Sequence, residues 1–488
     1  MNSAEKKFHR LTKENYTRLV SLIQRLASGR RFVFLKRALH ALHPTSLALL
    51  WDSFDESERE IILSQLASEY AAEFLTELGS DERTAIFRSK DTAWIFDRLE
   101  ELETDDIAGI LRDLSPRDTN FILRRFDKNY TGKIQEILKY PEGSAGALMT
   151  SDFLAVSRQA TVKSIVSQFQ KMAKQGARIP KKGSKAEAAA AANLASRGSK
   201  IEDLQFTFVV DRDNKFLGYI PLRKLILEKS SRKAQEIMQP AQVMVRPNED
   251  QETVAQIFKD YNLLSLPVVD SRGILLGQIT VDDVVDVLEE EATEDILRLG
   301  GVTQDAPHAQ SLASMARGRL PWLAINLGTQ VLAAWVVTFF DDTLSKVILL
   351  APLMTVIGGQ GGNATMQSVT VVVRSLALGQ VNSQNAARVI LKEIGVCSLN
   401  GTLIGIAAAG VVFAYTQKIL LAGCILVGMM CNTFVAGAVG AMLPLGLKAI
   451  KIDPALASGP IATTFTDICG FTVFLGVATM VLHRFGTM

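Results

Sequence analysis

The 488-residue sequence predicts a multidomain membrane protein. Its expected parts are an α-helical superhelical amino-terminal domain, an α/β tandem, a connecting helix and a five-helix all-α transmembrane domain. Three observations predict this. Of 53 Lys+Arg and 51 Asp+Glu, residues 320–488 hold only eight and five. Apolar stretches of the roughly 20 residues needed to cross a bilayer occur in that same third. The charge-rich part carries one α/β phrase twice. This profile excludes a disordered, collagenous or disulfide-scaffold chain, and the near-neutral net charge of +2 conceals it.

Residues 1–135 read as short helices with tight connections. Leu99-Glu-Glu-Leu102 followed by Asp105-Asp106-Ile107-Ala-Gly-Ile110-Leu111 shows the unit, an apolar stripe plus an acidic turn. The unit recurs at roughly twenty-residue spacing, as in a helical solenoid. Taken one at a time, the acidic turns read as N-caps. The first thirty residues lack the apolar core of a secretory signal, so the amino terminus is expected to stay cytoplasmic.

Residues 138–290 contain the duplication. Phe208-Val-Val-Asp211 through Gly218-Tyr-Ile220 parallels Pro267-Val-Val-Asp270 through Gly277-Gln-Ile279. Each copy reads strand, polar turn, strand, helix. Leu148-Met149-Thr150 and Ile237-Met238-Gln239-Pro240 precede them. The pattern resembles a tandem pair of CBS domains, with boundaries at 138–236 and 237–290. In the second copy Thr280 and Asp283 match the T-x-x-D feature that holds ribose and phosphate in nucleotide-binding members, while the first copy has Pro221 and Lys224 there. A basic insertion at about 171–203 interrupts the first copy and reads as a solvated linker.

Asp282 to Asp295 places eight acids in fourteen positions immediately before the membrane part. On a helix Asp283, Asp286 and Glu290 share one face, as do Glu291, Glu294 and Asp295. Such a face repels itself unless cations are near, and carboxylates without Cys or His suit hard ions. A connecting helix is expected over 291–319.

Five spans are expected, near 320–340, 346–373, 394–415, 419–446 and 456–482. The inner ends and loops carry Arg317, Arg319, Arg374, Arg388, Lys392, Lys448 and Lys451; the outer side keeps Lys346, Lys418 and Arg484. This bias places the carboxyl terminus outside. Cys397, Cys424, Cys431 and Cys469 form no C-x-x-C pair and read as small membrane-helix residues. The second span contains Gly358-Gly359-Gln360-Gly361-Gly362-Asn363 and Gln367, whose neutral oxygens suit a hydrated ion. Asp467 in the fifth is the one acid deep within any expected span, a placement that costs about 2.5–3.5 kcal/mol and points to an ion pathway.

In this order the parts resemble the MgtE family of magnesium transporters and channels. The resemblance rests on Thr280-Val-Asp-Asp-Val-Val-Asp286, Glu291-Ala-Thr-Glu-Asp295-Ile, Gly361-Gly-Asn363-Ala…Gln367 and Asp453-Pro…Ser-Gly-Pro460…Asp467. It implies a homodimer in a bacterial inner membrane, passing Mg²⁺ along a two-fold axis lined by the second and fifth spans. Implied pore residues are Asp467, Asn363, Gly459 and Thr463. Implied regulatory Mg²⁺ ligands are Asp250, Glu252, Asp283, Asp286, Glu291, Glu294 and Asp295, which close the pore when cytosolic Mg²⁺ is plentiful. ATP is a further candidate ligand, at Thr280 and Asp283. Departures are Asn262 for a ligand Asp, Gly459 for a pore-mouth Asn and Thr365 for a Gly. A CBS-regulated membrane sensor, or a carrier of Co²⁺, Ni²⁺ or Ca²⁺, is the alternative. No nucleic-acid partner is expected. Nor is enzymatic activity, since no nucleophile–base pair or metal motif stands out.

Overall fold

The computed structural model describes residues 13–176, 205–302, 312–382, 384–456 and 459–485. It divides into two units, Met1–Val287 and Leu288–Met488.

Among the described residues of the first unit, ten α-helices run from Lys13–Ser28 to Lys128–Leu138. They are short, and four of them begin at a side-chain cap. Asp55 accepts from Glu58 N while the Glu58 carboxylate accepts from Asp55 N, a reciprocal cap. Asp91, Ser115 and Asp127 cap their helices in the same sense. Alternate helices stack: Pro44–Leu50 on Ser68–Thr76, that on Thr92–Leu99, and that on Pro116–Leu123. This is the expected superhelical progression. The helical core, with Ile134 and Ile137, continues without a break into Val254, Phe258, Leu266, Val268 and Ile279 of the second CBS copy.

The duplication is visible strand by strand. Strand β1 (Ala155–Ser157) runs parallel to β2 (Phe206–Val210), which pairs antiparallel with β3 (Phe216–Pro221); β4 (Ser265–Val269) pairs with β5 (Leu275–Thr280). Both hairpins shift register at the same place, Val209/Val210 and Val268/Val269. Both turns are tied alike. Asp211 accepts from Asp213 N and Lys215 N, and Asp270 accepts from Arg272 N and Ile274 N. The segments leading into each copy cross over, Thr150 bridging to Gln278 and Gln239 to Tyr219. That crossing requires glycine: a Cβ at Gly218 would lie 2.3 Å from the Gln239 carbonyl oxygen, and one at Gly277 would lie 2.7 Å from that of Thr150.

The acidic segment forms one helix, Val281–Leu299, that continues directly from β5. It stops earlier than expected. Gly301 turns left-handed at φ +69°, Gly301 N donates to Arg298 O and Val302 N to Leu297 O. Such a paired closure at a glycine ends a helix. The expected connecting helix over 291–319 is therefore two helices, the next beginning at Leu312. The stretch 303–311 between them, and most of the 171–203 insertion, lie outside the described residues.

Among its described residues the second unit contains five long helices, hereafter the first to fifth spans: Leu312–Thr338, Leu350–Ala377, Ala386–Thr416, Ile419–Ala449 and Gly459–Phe485. Four are long and apolar enough to cross a membrane; the second, diluted by its Gly, Gln and Asn residues, is less apolar. The third begins eight residues before the sequence estimate, which brings Glu393 inside it. The fourth span is central, packing on the second, third and fifth. Small residues make this possible. Gly401 faces Thr433, Gly437 faces Cys397 and the Glu393 carbonyl, and Gly440 faces Ser368. Close approach through glycine is how membrane helices gain packing energy without a hydrophobic drive between them.

Candidate functional site

Antiparallel packing of the second and fifth spans puts the candidate pore residues on one line. A Cβ at Gly358 would lie 3.1 Å from Asp467 Oδ1, one at Gly362 would lie 3.5 Å from Thr463 Cγ2, and one at Gly459 would meet Met366 Sδ at 3.4 Å. Gly459, Thr463 and Asp467 thus follow one another at helical steps of four against Gly358, Gly362 and Met366. Gly358 and Gly362 put no side chain on this face, so the Asp467 carboxylate lies directly over backbone. Its partner is Gln330 of the first span, which hydrogen-bonds it. Asn363 and Gln367 are exposed on the second span. Glu393 is a second acid inside one of the five spans, accepting a 2.9 Å hydrogen bond from the buried Ser368 hydroxyl.

Carboxylates gather in two further places. In the first unit, helix Thr104–Arg112 docks through the fully buried Thr104, whose Oγ1 accepts from Ser151 N at 2.9 Å. Its N-cap residue Glu103 makes no side-chain cap hydrogen bond. Instead Glu103, Asp105 and Asp106 come into electrostatic range of Asp152, Asp282, Asp283 and Asp286. Burial, then Asp152, Asp106 and Asp283, push Glu103 up to about 8. Asp105 is pushed well above the carboxylate range by burial and then by Asp283. Burial and Asp282 raise Asp106 to about 6, against the pull of Arg83. Burial raises Asp283 to about 7 despite a hydrogen bond donated by Thr280. One oxygen of Asp105 is buried without a hydrogen-bond partner. Carboxylates in this condition take up protons or a cation.

In the second unit, the Arg298 guanidinium bridges Glu294, one turn back on the acidic helix, and Asp453, just before the fifth span. Asp295 is raised to about 6 by burial, Asp453 and Glu291, with Arg374 opposing.

The remaining candidates lie as follows. Asp250 opens helix Gln251–Tyr261, accepting from Glu252 N at 2.9 Å. Thr280 and Asp283 hydrogen-bond each other at the start of the acidic helix. Among the described residues, no three His, Cys, Asp or Glu side chains converge closely enough to hold an ion directly.

Sequence reasoning did not single out Glu103, Asp105 and Asp106, because an acidic helix start reads as a cap. What sets them apart is the set of acids they meet in the fold, with Glu103 left without a cap bond. Gln330, Arg298 and Asn432 carry no sequence signal beyond being polar in apolar or acidic surroundings. Asn432 lies buried between the second and fifth spans.

Three family models match the chain: MgtE, divalent cation transporter, over 354–477; the MgtE intracellular N domain over 42–143; and the CBS domain over 234–290. The magnesium transporter MgtE of Thermus thermophilus is 32% identical over 454 residues, covering 92% of this chain and 95% of that protein. The magnesium transporter MgtE of Bacillus subtilis is 26% identical, covering 92% and 94%. A crystal structure of the cytosolic domain of the Mg²⁺ channel MgtE in complex with ATP is 31% identical and covers 55% of this chain and 99% of that one, with a TM-score of 0.47. With this identity extending over nearly the whole length of both proteins, the chain belongs to the MgtE family of divalent cation transporters.

Proposed function

We propose that the protein carries Mg²⁺ passively across the bacterial inner membrane and that cytosolic Mg²⁺ closes it. The observation that carries this reading is the Asp467 carboxylate, set against the bare backbone of Gly358 inside a span and held by the amide of Gln330. An anchor has no use for such a group, whose burial in a membrane is costly. Magnesium keeps much of its hydration shell, so one carboxylate per protomer with neutral oxygens nearby suits it better than a closed cage.

The homodimer belongs to the same reading. Asn363 and Gln367 are exposed within a span, and hydrocarbon cannot satisfy their amides. A second protomer across a two-fold axis would supply a water-filled path for them. The protein is then multi-pass, with the amino terminus cytoplasmic and the carboxyl terminus outside, as the loop charges favour.

For gating, the Glu103–Asp106 and Asp282–Asp286 acids form one cation-seeking group. Glu291, Glu294, Asp295 and Asp453 form a second. The buried, unpartnered oxygen of Asp105 fits a hard cation held partly through water. Bound Mg²⁺ supplies positive charge that offsets the repulsion among these carboxylates. Without it the acids push apart, and that difference in affinity between two states is what a ligand-gated switch requires. Asp250 and Glu252 remain candidate ligands. At the second CBS copy, Thr280 and Asp283 are the candidate contacts for the ribose and phosphate of ATP.

The test is Mg²⁺ uptake by proteoliposomes containing the intact protein or Asp467→Ala. Uptake should disappear in the variant and be competed by Co²⁺, Ni²⁺ or Ca²⁺ only weakly. Undiminished uptake by Asp467→Ala would overturn the pore assignment, and stronger transport of another ion would reassign the cargo.

A further inference from the structure

Asn432, in the middle of the central fourth span, is 1% exposed. Its Nδ2 donates to the Ile357 carbonyl of the second span at 2.8 Å. The side chain fills a slot walled by two glycines. A Cβ at Gly361 of the second span would lie 2.1 Å from Nδ2, and a Cβ at Gly470 of the fifth would lie 2.6 Å from Cγ. Its Oδ1 is buried without a hydrogen-bond partner.

We infer that Asn432 is the positioning residue of the Asp467 site, setting the separation of the two spans that flank it. The inference rests on the reading of Asp467 as the ion-contacting group. Ile357 immediately precedes Gly358, where the Asp467 carboxylate rests. Gly470 lies three residues beyond Asp467, on the same side of its helix. One amide therefore ties down the backbone under Asp467 on one span and wedges against the backbone behind it on the other. Packing alone does not call for asparagine. Leucine has the same branched outline and number of side-chain heavy atoms and would bury no unpaired oxygen, so the donated hydrogen bond is what the amide supplies. Both glycines leave room for this side chain and for nothing more.

The experiment compares full-length protein, Asn432→Leu and the double variant Gly361→Ala with Asn432→Ala in proteoliposomes. The last refills the slot with a methyl group should leucine fail to fold. Read together are Mg²⁺ uptake, the Mg²⁺/Ca²⁺ uptake ratio and assembly by size-exclusion chromatography. Loss of an outer partner typically costs about 10–100-fold in metal-site function, so assembled variants should lose Mg²⁺ uptake and discrimination on that scale. A purely structural role would lower assembly and leave the ratio unchanged in what assembles. An assembled variant with wild-type uptake and ratio overturns the inference. If Asp467→Ala abolishes uptake in parallel, only the Asn432 role has failed; if Asp467→Ala transports normally, the pore reading itself has failed.

Discussion

Asp55, Asp91 and Asp127 begin helices much as Glu103 does, yet their carboxylates close on backbone N–H groups and that of Glu103 does not. The difference shows in their acidity. Asp55 is held below its ordinary range by the Glu58 N–H, while Glu103, Asp106 and Asp283 rise to about 8, 6 and 7. A carboxyl whose folded value is raised stabilises most below its unfolded value, 4.5 for Glu and 3.8 for Asp, and loses that contribution as pH climbs through the folded value. In EDTA, hydrogen-exchange protection of helix Thr104–Arg112, corrected for the intrinsic rate, should therefore fall between pH 5 and pH 8 (roughly the window these shifts define). Glu103→Gln with Asp105→Asn should flatten the trend. An unchanged slope in that variant would remove these acids from the cation-seeking group. The sequence shows all of these acids and cannot rank them, because composition does not reveal which oxygens meet an N–H and which meet another carboxylate.

At the scale of elements, much was legible. The five spans, the stacked short helices and the duplicated hairpins follow from periodicity and from the spacing of Asp, Gly and Pro. The boundaries that moved did so for identifiable reasons. The acidic helix ends at Gly301 because a left-handed glycine accommodates the closing bonds, and the third span reaches back over Glu393 because Ser368 on its neighbour satisfies that acid. In the sequence the repeated glycines Gly218 and Gly277 mark only the parallel between the two copies. In the fold they are crossing points, where a segment from one CBS copy passes over the strand of the other. Gly277→Ala should destabilise the first unit by about 1–3 kcal/mol, the usual cost of overpacking against atoms that cannot move aside. Chemical denaturation followed by far-UV circular dichroism reads this directly; a midpoint equal to wild type would mean that the crossing strands separate easily. Gly273 offers the contrast: a Cβ there would meet nothing within 4 Å, but its φ is +82°, so Gly273→Ala should suffer only from backbone strain.

For the whole molecule, charge is organised by unit. Acids that begin the acidic helix meet acids of the helical domain within the first unit, and those that end it meet Asp453 and Arg374 within the second. If both groups sense cytosolic Mg²⁺, raising it on the inner face of excised membrane patches should suppress current. Combining Asp283→Asn, Asp286→Asn, Glu294→Gln and Asp295→Asn should leave the current running at Mg²⁺ levels that close the wild type. Equal Mg²⁺ sensitivity in the two would separate gating from these carboxylates.

The sequence by itself determined the division of the chain, the helical and α/β character of its parts, the duplication and the presence of an acid in a span. Those properties follow from local hydropathy, turn chemistry and periodicity, which need no partner at long range. Only the tertiary structure decided that Asp467 lies over Gly358 and is held by Gln330, that Glu103 and Asp105 come within electrostatic range of Asp283 on the acidic helix, and that Arg298 joins Glu294 to Asp453. Each of these depends on which atoms are brought together from distant parts of the chain, and therefore on packing and burial that no window of sequence contains.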